Sequence, residues 1–78
     1  MKVYGYQKNS DDLIELNEVS IMGDIEELEK LVNYFKHVLD EHGKVSDDTE
    51  MCHSHIRDWD DKWDDNQPDI IVVTTNEK

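Results

Sequence analysis

The chain has 78 residues, which is enough for one domain over residues 1–78 with a modest hydrophobic core. Its 20 acidic side chains outnumber its 8 basic ones, so the formal net charge is −12 at pH 7. A charge of this sign repels nucleic-acid phosphates and anionic lipid and attracts basic proteins, so we expect a basic protein partner, no nucleic acid and no membrane.

The chain opens with a predicted pair of strands. Residues 3–6 alternate in the manner of a short strand, and the polar residues 7–12 favour a turn. A second strand is predicted over residues 13–22. Its apolar positions change parity midway, and one extra residue would restore a continuous apolar face. We therefore predict a β-bulge at Asn17–Glu18.

The most regular pattern predicts a helix from about residue 24 to residue 42. Asp24 suits the N-cap position, and Glu27 stands three residues later, as in a capping box. Gly43 is expected to end the helix in the left-handed conformation. One broad apolar stripe is predicted to pack against the core. Its members are Ile25, Leu28, Leu31, Val32, Phe35, Val38 and Leu39.

The second half of the chain predicts two more strands. A polar loop over residues 44–50 precedes a strand over residues 51–57, and residues 70–75 are apolar on both faces, which predicts a central strand. Between them, Trp59 and Trp63 have the spacing that aligns both rings on one side of a short helical turn. The order β-β-α-β-β predicts an α+β fold, with an antiparallel sheet and one amphipathic helix packed on one face.

The residues typical of catalysis or cofactor binding do not form a recognisable site, so we expect neither an enzyme nor a bound cofactor. The few glycines are too scattered for a phosphate-binding loop. Cys52 and His53 are neighbours in sequence, so a strand points them to opposite faces and they form no dyad. The acidic run that begins at Asp58 fails the calcium-loop pattern, because Lys62 and Trp63 occupy its fifth and sixth positions.

His53 and His55 form the candidate metal-binding pair. On a strand, this two-residue spacing points both imidazoles the same way, which suits a metal ion. The sequence nominates no third ligand. The alternative is that both histidines serve the surface or the packing.

Cysteine content and hydropathy indicate the cellular compartment. The single cysteine, Cys52, excludes an intrachain disulfide and is expected to be an inert thiol. The first residues hold no apolar run of signal-peptide length, and nowhere do the roughly 18 apolar residues of a membrane span occur together. We therefore expect a cytoplasmic protein.

An acidic segment with two tryptophans is the candidate partner-binding site. Tryptophan is enriched at the centres of interfaces, and surrounding carboxylates attract Arg and Lys of a partner. The alternative is that the indoles cover the end of the small core, and the two roles are compatible. The candidate residues are Asp58, Trp59, Asp60, Asp61, Trp63, Asp64 and Asp65.

Four groups of short stretches stand out in the sequence: Val3-Tyr4-Gly5-Tyr6, Leu13-Ile14-Glu15-Leu16 with Glu18-Val19, His53-Ser54-His55-Ile56-Arg57-Asp58-Trp59, and Pro68-Asp69-Ile70-Ile71-Val72. They resemble a family of small bacterial immunity proteins, immunity-protein family thirty-two of polymorphic toxin and contact-dependent inhibition systems. Such proteins bind a cognate toxin and block its active site or its assembly, and many of the toxins are nucleases with basic clefts. The resemblance therefore implies a toxin-neutralising chain, and it implies no catalytic residues. It covers most of the chain apart from the loop after Gly43.

Two further functions remain as alternatives. An acidic DNA mimic or regulatory module would bind another basic target, such as a nucleoid protein or a polymerase subunit. A small metal-binding protein would use His53, His55 and a carboxylate. A toxin gene directly upstream would favour immunity, whereas stoichiometric zinc in protein purified without a histidine tag would favour metal binding.

Overall fold

The computed structural model describes residues 1–44 and 51–75. The α+β class and the predicted order β-β-α-β-β are confirmed, with one extra helical turn before the last strand. Most of the predicted loop over residues 44–50 lies outside the described residues. The elements are β1 (Val3–Tyr6), β2 (Leu13–Leu16), α1 (Ile25–Gly43), β3 (Met51–His55), α2 (Ile56–Trp59) and β4 (Ile71–Thr75).

The four described strands form two separate antiparallel pairs rather than a single sheet. In the first pair Val3 stands opposite Leu16, and in the second pair His55 stands opposite Ile71. The prediction of a central place for the last strand is wrong: among the described strands β4 pairs with β3 alone, and Ile71 and Val73 are exposed. Apolar residues on both faces suit a buried strand, but the pattern does not encode which strands become neighbours.

The second strand is shorter than predicted. β2 ends at Leu16, and residues 17–22 lie outside any strand, so the predicted bulge at Asn17–Glu18 is wrong. The reason is the length of the partner strand. The ladder with β1 stops at the pair Val3–Leu16, and Met1 and Lys2 lie outside any strand, so the residues after Leu16 have no described strand opposite them. The parity change therefore marks the end of the strand.

The N-terminus of α1 is capped as predicted. The Asp24 side chain accepts the N–H of Glu27 at 2.8 Å, and the Asp24 N–H donates to the Glu27 side chain at 3.0 Å, which confirms the capping box. The prediction that Gly43 adopts the left-handed conformation is wrong, because no glycine of the described residues has a positive φ. Lys44 remains in right-handed geometry, and its N–H bonds to carbonyl groups of the last turn, so no left-handed residue is needed there.

The core lies between α1 and the half of the chain that contains β3, α2 and β4. Of the predicted helix stripe only Leu31 and Val38 are buried, and the other five members are 44–77% exposed, so the prediction is wrong for most of the stripe. The cause is the rotation of the helix, which turns Tyr34 towards the strands. The buried residues are Leu31, Tyr34, Val38 and Ile56, and Trp59, Trp63, Ile70 and Val72 pack against them.

Candidate protein-binding surface

Tyr34 joins the middle of α1 to the second strand pair. Its hydroxyl lies 2.8 Å from the carbonyl oxygen of Ser54 and 2.9 Å from that of Ile70, and the residue is fully buried. The single hydroxyl hydrogen is shared between these two acceptors. Burial raises the pKa of Tyr34, and the nearby Asp69 carboxylate raises it further, so the hydroxyl stays neutral.

His42 makes a second connection at the C-terminal end of α1. One ring nitrogen lies 2.8 Å from the Thr74 hydroxyl, and the other lies 2.8 Å from the Ser54 hydroxyl. Thr74 belongs to β4 and Ser54 belongs to β3, so one imidazole contacts both strands. Together with Tyr34, it fixes the strand pair against the helix.

The strand that carries the two histidines ends earlier than predicted. β3 stops at His55, so Arg57 lies on α2 and does not share the strand face. Ile56 is fully buried, and its N–H bonds to the carbonyl oxygen of Ile70 at 3.0 Å. The N–H of Asp60 then bonds to the Ile56 carbonyl oxygen at 2.9 Å, which closes the helical turn. The alternating pattern predicted that the strand continues to residue 57, but the burial of Ile56 and the helical turn that begins there end it at His55.

Arg57 and Asp69 close the base of the segment that follows. The Asp69 carboxylate lies 2.6 Å from Nδ1 of His55 and accepts the N–H of Arg57 at 3.4 Å. The Arg57 guanidinium donates to the carbonyl oxygen of Gln67 at 2.9 Å and reaches that of Asp65 at 3.5 Å. These contacts bring the two ends of residues 57–69 together, so the intervening residues form a closed loop.

The two tryptophans lie on the core, as the structural alternative predicts. The Trp59 ring lies 5.7 Å from the Tyr34 ring and 6.1 Å from the His37 ring, and the Trp63 indole N–H donates to the Pro68 carbonyl oxygen at 3.1 Å. Both indoles are half-buried. The predicted helical turn containing both is wrong, because α2 ends at Trp59.

Two aspartate-capped turns explain why the helix does not continue. The Asp60 side chain accepts the N–H of Lys62 at 3.1 Å, and the Asp64 side chain accepts the N–H of Asn66 at 2.8 Å. Such local bonds from Asp compete with the hydrogen bonds of a helix. The turns therefore fix the loop in a defined shape and direct Trp63 back to the core.

Asp60 differs from the other aspartates of the loop. Its carboxylate pairs with the Lys30 ammonium at 3.3 Å, and its side chain is only 16% exposed. The hydrogen bond from the Lys62 N–H lowers the pKa of Asp60, and Lys30 lowers it further. The charge of Asp60 is therefore compensated within the fold, which leaves it less accessible to a partner than predicted.

The remaining predicted aspartates form the surface that we call the acidic turn surface. All four are exposed, and within the described part of the chain none is within ion-pair distance of a Lys, Arg or His side chain. Exposed carboxylates without a local cation project an uncompensated negative potential into solvent. The acidic turn surface consists of Asp58, Asp61, Asp64 and Asp65.

The candidate metal pair lies on β3. The His53 and His55 rings are 5.5 Å apart and meet edge to face. Nδ1 of His55 is already bonded to Asp69. Across residues 1–44 and 51–75, no three His, Cys, Asp or Glu side chains are grouped so that they could hold a metal ion. The two histidines therefore have no third ligand in this part of the chain.

Comparisons with known proteins give no assignment: no protein-family model, no curated protein and no solved structure matches the chain. Among the described residues, no helix combines the length and apolar character needed to cross a bilayer.

Three residues that shape the loop were missed in the sequence. Tyr34 stands three residues after Leu31 and four before Val38, so its spacing places it on the buried face of the helix. Tyrosine is less often buried than aliphatic residues, so its type does not indicate a core position. Asp69 and Lys30 give no such signal, because their partners are distant in sequence. Only the folded chain brings these groups together.

Proposed function

We propose that this chain is a cytoplasmic immunity protein that binds a basic cognate toxin through the acidic turn surface and thereby neutralises it. The toxin is a nuclease or another enzyme with a cationic cleft. The carboxylates occupy positions that substrate phosphates would otherwise take, so the bound chain excludes the substrate. The carrying observation is a loop, fixed by hydrogen bonds, with four exposed aspartates that have no ion-pair partner among the described residues.

The fixed shape of the loop supports this proposal. Arg57 holds the backbone near its end, and the side chains of Asp60 and Asp64 hold its two turns. A loop whose conformation is set before binding loses less conformational entropy on association. The charges are therefore presented to a partner at little ordering cost.

The half-buried tryptophans add a second contribution. Trp59 and Trp63 pack on the core but are only half-buried, and both are next to aspartates of the acidic turn surface in the sequence. In interfaces, partly exposed aromatic rings surrounded by charges become fully desolvated and supply much of the binding free energy. Carboxylates then steer the basic partner, and indole edges hold it.

The test uses the cognate toxin domain, which is first identified by a pull-down with this chain from its native cell. We expect co-expression of the wild-type chain to restore growth to cells that produce the toxin. The triple variant D58N/D61N/D65N removes three charges without removing a side-chain hydrogen bond found in the structure. We expect it to weaken binding by roughly tenfold or more and to lower survival, because charge steering of this kind changes association by about 10- to 1,000-fold.

The matched control is D11N/D12N/E15Q on the β1–β2 side of the chain, which changes the net charge by the same three units at exposed positions. It should protect cells nearly as well as the wild type. Equal loss in both variants would mean that only total charge matters. No protection by the wild type, together with tight binding to a different basic protein, would instead favour the DNA-mimic or regulatory alternative.

A further inference from the structure

One flank of α1, between its core-facing side and its solvent-facing side, carries a row of exposed apolar side chains, which we call the outer stripe. Exposure rises to 72% at Ile25 and 77% at Leu39, and the central Val32 and Phe35 are each 44% exposed. A surface of contiguous large apolar side chains of this kind marks a contact site in a soluble protein. The outer stripe consists of Ile25, Leu28, Val32, Phe35 and Leu39.

The spacing of the outer stripe is that of a helix-pairing seam. Successive members are separated by three, four, three and four residues, which are the a and d positions of the heptad repeat. The core is already covered by a different set of helix residues, Leu31, Tyr34 and Val38. The outer stripe is therefore a second apolar face, and its geometry suits another helix.

The charges beside the outer stripe are self-complementary. Glu29 and Lys36 flank it on the side away from the core, seven residues apart. This separation is about 10 Å along the helix axis, so the two do not pair within one helix. In an antiparallel pair of identical helices, with Val32 of one copy against Phe35 of the other, Glu29 of each copy comes within about 3 Å, along the helix axis, of the level of Lys36 of the other.

We propose that the outer stripe is the interface of a homodimer, in which two α1 helices pack antiparallel about a twofold axis. A parallel arrangement would place the acidic first turns side by side, whereas the antiparallel arrangement places each first turn near the other helix's C-terminal half and opposes the helix dipoles. A basic toxin fits this face less well, because its flank carries both signs of charge. The interface is independent of the acidic turn surface, and a dimer presents two such surfaces.

The test is sedimentation equilibrium of the full chain at several concentrations. Because the seam is short, we expect a dissociation constant on the order of micromolar, so the fitted mass should rise from the 9.2 kDa monomer towards twice that value. Leu39→Lys puts a charge into the seam at its most exposed position and should keep the chain monomeric. The matched control Asn33→Lys adds the same charge to the same helix outside the seam and should leave the dimer intact.

Charge exchange tests the direction of packing. Glu29→Lys and Lys36→Glu should each weaken the dimer by roughly three- to tenfold, and the double variant E29K/K36E should restore it, because exposed ion pairs contribute to this extent. Circular dichroism and thermal unfolding of each variant verify that the fold is intact. A wild-type chain that stays monomeric at every concentration overturns the proposal, as does equal dimerisation of Leu39→Lys and the wild type. Failure of the double variant to restore affinity overturns the antiparallel arrangement.

Salt separates this inference from the proposed toxin binding. Each copy carries a charge of −12, so added salt screens the repulsion between copies and should strengthen the dimer. Binding to a basic toxin should weaken under the same change. A dimer that dissociates as salt increases contradicts the apolar seam, without bearing on the acidic turn surface.

Discussion

The hydroxyl of Tyr34 lies 2.9 Å from the carbonyl oxygen of Ile70, 36 residues further along the chain. This contact joins the middle of α1 to the end of the acidic loop, immediately before β4. The same hydroxyl contacts Ser54 of β3. One buried side chain therefore sets the position of the loop relative to the helix.

Tyr34→Phe should destabilise the fold by about 1–2 kcal/mol, because it removes a hydrogen-bond donor but keeps the packed ring. The measurement is urea unfolding followed by tryptophan fluorescence, since Trp59 contacts the Tyr34 ring. Met22→Ala, at a fully exposed position, is the control and should change stability by less than about 0.5 kcal/mol. A Phe variant as stable as the wild type would mean that the hydroxyl contributes nothing net.

The same residue predicts a loss of stability at alkaline pH. Burial raises the pKa of Tyr34 in the folded chain above its unfolded value of about 10. The unfolded chain therefore releases this proton first. The stabilising contribution is complete below the unfolded pKa and is lost as pH rises through the folded pKa.

The free energy of unfolding, measured between about pH 9 and pH 11.5, checks this directly. The wild type should lose more stability over this interval than Tyr34→Phe, whose residue 34 cannot ionise. Parallel curves for the two proteins would assign the alkaline change to other groups.

Asp60 predicts the opposite trend at acidic pH, where the stability of the fold decreases as the pH falls. The Lys62 N–H and the Lys30 ammonium lower the pKa of Asp60 below its unfolded value. The resulting stabilisation is present above the unfolded pKa, near 3.9, and is lost as pH falls through the folded pKa. Asp60→Asn keeps an acceptor for Lys62 but removes the charge, so its stability should fall less on acidification.

Acid titration of both proteins by circular dichroism measures this difference. Lys30→Met is a useful companion variant, because it removes the partner charge while leaving the carboxylate in place. If Asp60→Asn and the wild type lose stability in parallel below about pH 4, the ion pair with Lys30 is not part of the folded state in solution.

Trp59→Ala should be strongly destabilising. The indole contacts both Tyr34 and His37 and covers the core, and truncation of a buried aromatic costs about 3–5 kcal/mol, with the lower part of this range expected for a half-buried ring. A domain of this size has little stability to lose, so the variant should be largely unfolded at room temperature. Chemical unfolding measures this, and a change within about 0.5 kcal/mol would show that Trp59 contributes little to the stability of the core.

The local parts of the fold could be predicted from the sequence because their causes are local. The Asp24–Glu27 capping box and the extent of α1 depend on residues within a few positions of one another. The short strands β1 and β3 were found for the same reason, whereas the turn at Ile56 and the end of β2 depend on burial and on the length of a partner strand.

The candidate site was predictable in composition but not in arrangement. The aspartates and tryptophans stand out in the sequence, yet the pairing of Asp60 with Lys30 joins residues that are 30 positions apart. The rotation of α1 was equally hidden. A helical wheel displays one wide apolar face, and only the folded chain shows that Leu31 and Val38 pack on the core beside Tyr34 while the outer stripe stays exposed.

The central claim is that the acidic turn surface attracts a basic toxin, and the ionic-strength dependence of the association rate tests it most directly. Stopped-flow mixing with the cognate toxin, from about 20 to 500 mM salt, should give a rate constant that falls steeply for the wild type and for D11N/D12N/E15Q. For D58N/D61N/D65N we expect a slower rate at low salt and a clearly shallower fall. The same steep dependence for that variant, with an unchanged rate, would show that the acidic turn surface does not attract the toxin.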